Sequence, residues 1–102
     1  MYHVVIHFGM IVSVKDKRIA ELMAGRLPAR FPPDLLRRAQ RAIRALENAE
    51  ALDDLRVPPA NRLEALRGDR DGQWSIRINL QWRLCFRWAG TGFADVEIVD
   101  YH

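Results

Sequence analysis

The last three residues of the chain, Asp100-Tyr101-His102, place a carboxylate, a phenol and an imidazole side by side. Each can carry a proton in catalysis, and imidazole titrates nearest to neutrality. A tyrosine ring can also stack on a nucleic-acid base, an interaction that contributes about 1–3 kcal/mol. Upstream, Arg77 and Arg83 interrupt two alternating apolar runs, Trp74-Ser75-Ile76-Arg77-Ile78 and Trp82-Arg83-Leu84-Cys85-Phe86-Arg87-Trp88. Folding these runs about a turn centred on Asn79-Leu80-Gln81 sets Trp74 opposite Phe86, Ile76 opposite Leu84 and Ile78 opposite Trp82, which makes one face wholly apolar. A slip by one position would bring Ile78 against Arg83 and spoil that face. The same register sets Arg77 against Arg83 and Ser75 against Cys85 on the other face. Like charges across a strand pair cost up to about 1 kcal/mol, and an anion held between them removes that cost. Private carboxylates would remove it too, and Asp69, Asp71, Asp95 and Glu97 are available.

The elements that must position these groups are legible in part. Val4 to Phe8 is β-branched and apolar enough to pair as a strand, with a bend at Gly9. Ile11 to Val14 reads as a short strand, and Lys15 to Ala24 as a helix stopped by Gly25. Pro32-Pro33-Asp34 opens a second helix predicted to run to about Asn48. Its apolar side is Leu35, Leu36, Ala39, Ala42, Ile43 and Leu46, with Arg37, Arg38, Arg41 and Arg44 opposite. Ala49 to Glu64 reads as irregular, broken by Pro58-Pro59. After the Trp74–Trp88 hairpin and a Gly90-Thr91-Gly92 turn, Val96, Ile98 and Asp100 alternate with Glu97, Val99 and Tyr101, a strand that carries the tail toward the arginine face. Helices grouped apart from a run of strands predict an α+β domain, with two N-terminal helices on a twisted, mainly antiparallel sheet of about four or five strands. The opposite sheet face is expected to stay open to solvent or ligand.

Composition narrows the classes. With 102 residues, 49% of them apolar, the chain suits one packed domain. All 16 basic residues are accounted for by 14 arginines with Lys15 and Lys17, giving a net charge of +3. Arginine grips phosphate with a planar, bidentate fork, so Lys15, Lys17, Arg37, Arg38, Arg41, Arg44, Arg67 and Arg70 are candidates for contacts to a polyanion. Solvation alone accounts for such a basic surface equally well. The lone Cys85 cannot form an internal disulfide, and no apolar run is long enough for a membrane span, so a cytoplasmic protein is expected. No Cys/His spacing suits a metal, and neither a phosphate-cradling glycine loop nor a serine-nucleophile motif is present.

The run Asn61-Arg62-Leu63-Glu64-Ala65-Leu66-Arg67-Gly68-Asp69-Arg70, followed by Gly72-Gln73-Trp74-Ser75-Ile76-Arg77-Ile78-Asn79 and Gln81-Trp82-Arg83-Leu84-Cys85-Phe86, resembles the HigB toxins of the RelE/ParE superfamily, in the plasmid-maintenance killer group. Met10-Ile11-Val12-Ser13 with Lys15-Asp16-Lys17, and Val99-Asp100-Tyr101-His102 at the end, resemble it as well. The likeness spans residues 10–102, which are expected to form a single toxin domain. Residues 1–9 stand outside it as an N-terminal extension, either an upstream start or an extra strand. The resemblance implies a RelE-like fold and metal-independent cleavage of messenger RNA in the ribosomal A site. It also implies a HigA-type helix-turn-helix antitoxin, through which the toxin–antitoxin complex would bind operator DNA. Asp100, Tyr101 and His102 match the family's catalytic tail. The family's second histidine is absent here, and Glu64 stands near its place.

These readings lead to a mechanism in which an RNA 2′-OH attacks the adjacent phosphate. Arg77 and Arg83 would hold the phosphate and its developing charge. His102 and Asp100 would share the proton transfers, Tyr101 would stack on or orient a nucleotide, and Glu64 would serve as a second base. Two other classes remain: a non-catalytic RNA- or protein-binding module, and a gyrase-inhibiting toxin, since the superfamily includes both nucleases and gyrase poisons.

Overall fold

The computed structural model describes residues 10–101 in full and the backbone of residues 4–8. The expected bend at Gly9 and the catalytic expectation for His102 lie outside the described residues. Strands β1 (Val4–Phe8), β2 (Ile11–Val14), β3 (Glu64–Ala65), β4 (Trp74–Arg77), β5 (Trp82–Trp88) and β6 (Phe93–Asp100) form one sheet in the order β1-β2-β6-β5-β4-β3. Helices α1 (Lys17–Met23) and α2 (Leu36–Asn48) fall between β2 and β3. The helices lie in the N-terminal half, after the two short strands expected at Val4–Phe8 and Ile11–Val14. The expected architecture is corrected in strand number, since the sheet has six strands among the described residues rather than four or five. The sheet is mainly antiparallel as expected, but it is mixed, because β2 runs parallel to β6 through Ile11↔Phe93 and Val14↔Val96. The parallel pair follows from the crossover: the chain leaves β2, makes both helices and three strands, and returns beside it.

Asp16 caps α1, which starts at Lys17, two residues later than the sequence pattern suggested. Its carboxylate accepts the Arg18 backbone N–H at 3.0 Å, satisfying a donor that the first helical turn leaves open. The other carboxylate oxygen accepts Ile98 N–H at 3.1 Å, tying α1 to β6. Arg18 bonds back to Asp16 and to the Ile98 carbonyl, and the hydrogen bond to Asp16 raises its already high pKa against the opposing effect of burial. The second helix enters through a tight turn at Pro33–Leu35 and buries Ala39, Ala42, Ile43 and Leu46. These pack with Ile19 and Leu22 of α1 on a sheet face of Ile11, Val14, Ile76, Leu84, Phe86, Phe93, Val96 and Ile98. The predicted irregular stretch from Ala49 holds two short 3₁₀ turns, Leu52–Arg56 and Pro59–Asn61, before β3.

The β4–β5 hairpin has the expected register: Trp74↔Phe86, Ser75↔Cys85, Ile76↔Leu84 and Arg77↔Arg83. The Asn79 side-chain oxygen accepts from the Gln81 and Trp82 backbone N–H groups, both at 2.8 Å, and so closes the turn. On the far side from the helices the sheet is less open than expected. Ser75 and Cys85 are both 0% exposed, because long side chains lie across them.

Candidate functional site

The C-terminal end of β6 is anchored rather than frayed. Tyr101 N–H donates to the Gln81 carbonyl at 2.6 Å, and the Gln81 side-chain amide donates to Asp100 at 3.0 Å. The turn Gly68–Arg70 comes up beside this end. It is entered through Gly68 at φ +64, a left-handed conformation that glycine adopts at no steric cost. Together they frame an open depression of about 410 Å³ lined by Arg67, Asp69, Arg70, Val99, Asp100 and Tyr101.

Arg70 is fixed there by two acceptors, Gln73 Oε1 and Glu97 Oε2, each at 3.0 Å. Burial, the largest single influence, lowers its pKa, but the hydrogen bond to Glu97 and the attraction of Glu97, Cys85 and Tyr101 together outweigh it, so the net shift is upward. Lys15 Nζ lies 3.9 Å from the same Glu97 oxygen, so the β2 end adds a second cation. The Tyr101 hydroxyl reaches Cys85 Sγ at 3.9 Å. Burial, and then the neighbouring thiol, push the Tyr101 pKa up, while Arg70 and Arg83 pull it the other way. Burial likewise raises the Cys85 thiol, with Tyr101, Arg70 and Arg83 opposing. Both groups are therefore protonated at neutral pH. The phenol can donate a hydrogen bond and offer its ring for stacking, but it is not a ready base.

Arg83 is held tightly. Its Nε donates to Ser75 Oγ at 2.6 Å, and one terminal nitrogen donates to the Arg62 carbonyl at 2.6 Å and pairs with Glu64 at 3.0 Å. Its side chain is 12% exposed against 60% for that of Glu64. Arg77 does not join it. Although the two are cross-strand partners, Arg77 lines clefts with Arg38, Arg41 and Arg44 of α2 and with Pro58, Ala60 and Asn61. The physical reason lies in β3, whose two residues pair only with Ser75 and Trp74, so β4 is an edge at Arg77 and a long side chain there can leave the face. The arginines near Tyr101 are Arg67, Arg70 and Arg83.

Of the other sequence candidates, Glu64 reaches the site through Arg83, and Lys15 through Glu97. Lys17 is exposed on the first turn of α1, and Arg37, Arg38, Arg41 and Arg44 are exposed on α2. Sequence reasoning missed Gln73, Ser75 and the Arg62 carbonyl as holders of the arginines, although the Ser75↔Cys85 register already put Ser75 diagonal to Arg83. Among the described residues, no group of three or more His, Cys, Asp or Glu side chains could hold a metal ion.

Cations gathered beside a tyrosine and a carboxylate at the end of a central strand give this small α+β protein a surface that attracts anions. The chain belongs to a known family: residues 14–102 match the RelE-like toxin of type II toxin-antitoxin system HigB. It is 39% identical over 94 residues to Toxin HigB-1 of Vibrio cholerae serotype O1, a match covering 91% of this chain and 98% of that protein. It is 28% identical over 93 residues to Endoribonuclease HigB of Proteus vulgaris, covering 91% of this chain and all of that protein. An uncharacterized protein of Haemophilus influenzae is 34% identical over 63 residues, 62% of each chain. Among the described residues, no helix is long and apolar enough to cross a membrane.

Proposed function

We propose that this protein is a metal-independent endoribonuclease that cuts messenger RNA on the ribosome, and that a HigA-type antitoxin holds it inactive. The observation that carries this reading is the depression in which Arg67 and Arg70 face Asp100 and Tyr101, with Arg83 alongside. The name of the Proteus vulgaris relative supports the choice of RNA as substrate.

The cleavage is an internal transesterification. The RNA 2′ oxygen attacks the adjacent phosphorus, the bond from phosphorus to the 5′ oxygen breaks, and the products carry a 2′,3′-cyclic phosphate and a 5′-OH. Arg70, Arg67 and Arg83 stabilise the charge on the phosphate oxygens as it grows. Tyr101, protonated, stacks on or hydrogen-bonds the nucleotide. Asp100 and His102 share removal of the 2′ proton and protonation of the 5′ oxygen, and Glu64 is a second carboxylate within reach. Few acid–base groups are present, so the ribosome supplies much of the alignment of the RNA. Lys15 and Lys17 and the exposed arginines of α2, Arg37, Arg38, Arg41 and Arg44, contact RNA or ribosome phosphates. The antitoxin would also carry the complex to operator DNA.

The experiment is to add purified protein to translating ribosomes and map RNA ends. New 5′-OH and cyclic-phosphate ends are expected, lost on Arg83→Ala or on deletion of His102. RNA that is bound but stays intact would mark a binding module, and DNA-damage signalling without loss of messenger RNA would mark a gyrase inhibitor.

A further inference from the structure

We propose that Ser75 is the positioning residue of Arg83, holding its guanidinium in place so that an incoming phosphate has only the Glu64 carboxylate to displace. The inference rests on the nuclease reading above. Ser75 is 0% exposed, and its hydroxyl accepts the Arg83 Nε–H at 2.6 Å. Nε is the point about which the guanidinium plane turns, so a bond there sets the direction of the whole fork. The Arg62 carbonyl supplies a second fixed acceptor at 2.6 Å, presented by a residue at φ +48. Both of these acceptors are neutral: the Ser75 hydroxyl is buried on β4, and the Arg62 carbonyl is a backbone group at the end of the Pro59–Asn61 turn. The third partner, Glu64, differs in kind: it is an anion, its side chain is 60% exposed, and it sits on a strand of two residues at the sheet edge.

An anionic ligand competes with an exposed anion far more readily than with a neutral hydroxyl or backbone carbonyl, because a phosphate can restore the charge pairing that Glu64 provides. Ser75 and Arg62 would then keep the fork aimed while Glu64 swings away. Preorganisation of this type lowers the barrier to the chemical step rather than strengthening ground-state binding. The hydroxyl touches no reacting atom, so its effect passes wholly through Arg83.

The test measures cleavage of messenger RNA on translating ribosomes by the full-length chain. Ser75→Ala is expected to lower kcat about tenfold with KM nearly unchanged. Ser75→Cys, which keeps the volume but accepts hydrogen bonds poorly, is expected to show the same loss, and Ser75→Thr, which keeps the oxygen, to recover most of the rate. On an Arg83→Lys background, Ser75→Ala is expected to add no further loss. Equal losses on both backgrounds, or a Ser75→Cys variant as fast as the parent, would overturn the proposal. A parent chain that leaves messenger RNA intact would instead overturn the nuclease reading, and this inference with it.

Discussion

At the residue scale, the structure separates two arginines that the hairpin register pairs. Arg83 stays on the face with Tyr101, whereas Arg77 lines the α2 clefts, and this division makes a kinetic prediction. On the proposed nuclease reading, Arg83→Ala removes charge stabilisation at the reacting phosphate and is expected to lower kcat by roughly 10²–10³-fold. Arg77→Ala is expected to raise KM with kcat little changed, as read from initial rates on ribosome-bound RNA. A second prediction concerns protons. Burial raises the Cys85 pKa, so the folded chain keeps that proton at pH values where the unfolded chain has lost it. The unfolded state then binds fewer protons, and stability falls as pH rises past the ordinary thiol value of about 8.5. Urea midpoints taken on either side of that value should drop with pH in the parent chain and drop less in Cys85→Ala. Tyr101 is raised in the same direction and steepens the fall at higher pH.

At the element scale, Asp16 does the work of two joints. It caps α1 through Arg18 N–H and accepts Ile98 N–H from β6. Asp16→Ala removes a cap and leaves a partly buried strand donor unpaired, for an expected loss of about 2–3 kcal/mol in a denaturant titration. Asp16→Asn, which keeps an acceptor, should lose less. The β2–β6 pairing is as exacting at Gly92, where an added Cβ would lie 2.7 Å from the Met10 carbonyl oxygen and 2.7 Å from Val12. The elements also explain what could be read from the sequence. The hairpin was legible because every inward position between Trp74 and Phe86 is apolar, and only one register keeps them together. The α2 face was legible because its apolar and arginine positions separate cleanly at helical spacing. The parallel β2–β6 pair was not, since four alternating residues carry no sign of strand direction. The fate of Arg77 was hidden for a different reason: it depends on how far β3 extends along β4, a tertiary length that local pattern does not encode. Ser75 and Gln73 were passed over because a single polar residue in a strand, or just ahead of one, looks like an ordinary solvent-facing position until an arginine is seen bonded to it.

At the scale of the whole molecule, two groups of arginines occupy separate surfaces. One is the depression at the end of β6, where Arg67 and Arg70 lie with Tyr101. The other runs along α2, where Arg38, Arg41 and Arg44 meet Arg77 over clefts that also take in Asn48, Asn61 and Asn79. On the ribosome-dependent nuclease reading proposed above, these surfaces have separable duties, the first in chemistry and the second in holding the protein on the particle. Contacts to phosphates release counterions, so log affinity falls with log salt by roughly 0.7–0.9 for each contact made. Replacing Arg38 and Arg41 together by glutamine should therefore flatten the salt dependence of ribosome association by about 1–2 units of slope, weaken binding at low salt, and leave kcat at saturating ribosome close to that of the parent. Replacing Arg67 and Arg70 should do the reverse, cutting kcat with a smaller change in slope. If the α2 variant keeps both its affinity and its salt slope while the rate collapses, the division of labour between the two surfaces fails, and the α2 arginines must act at the chemical step.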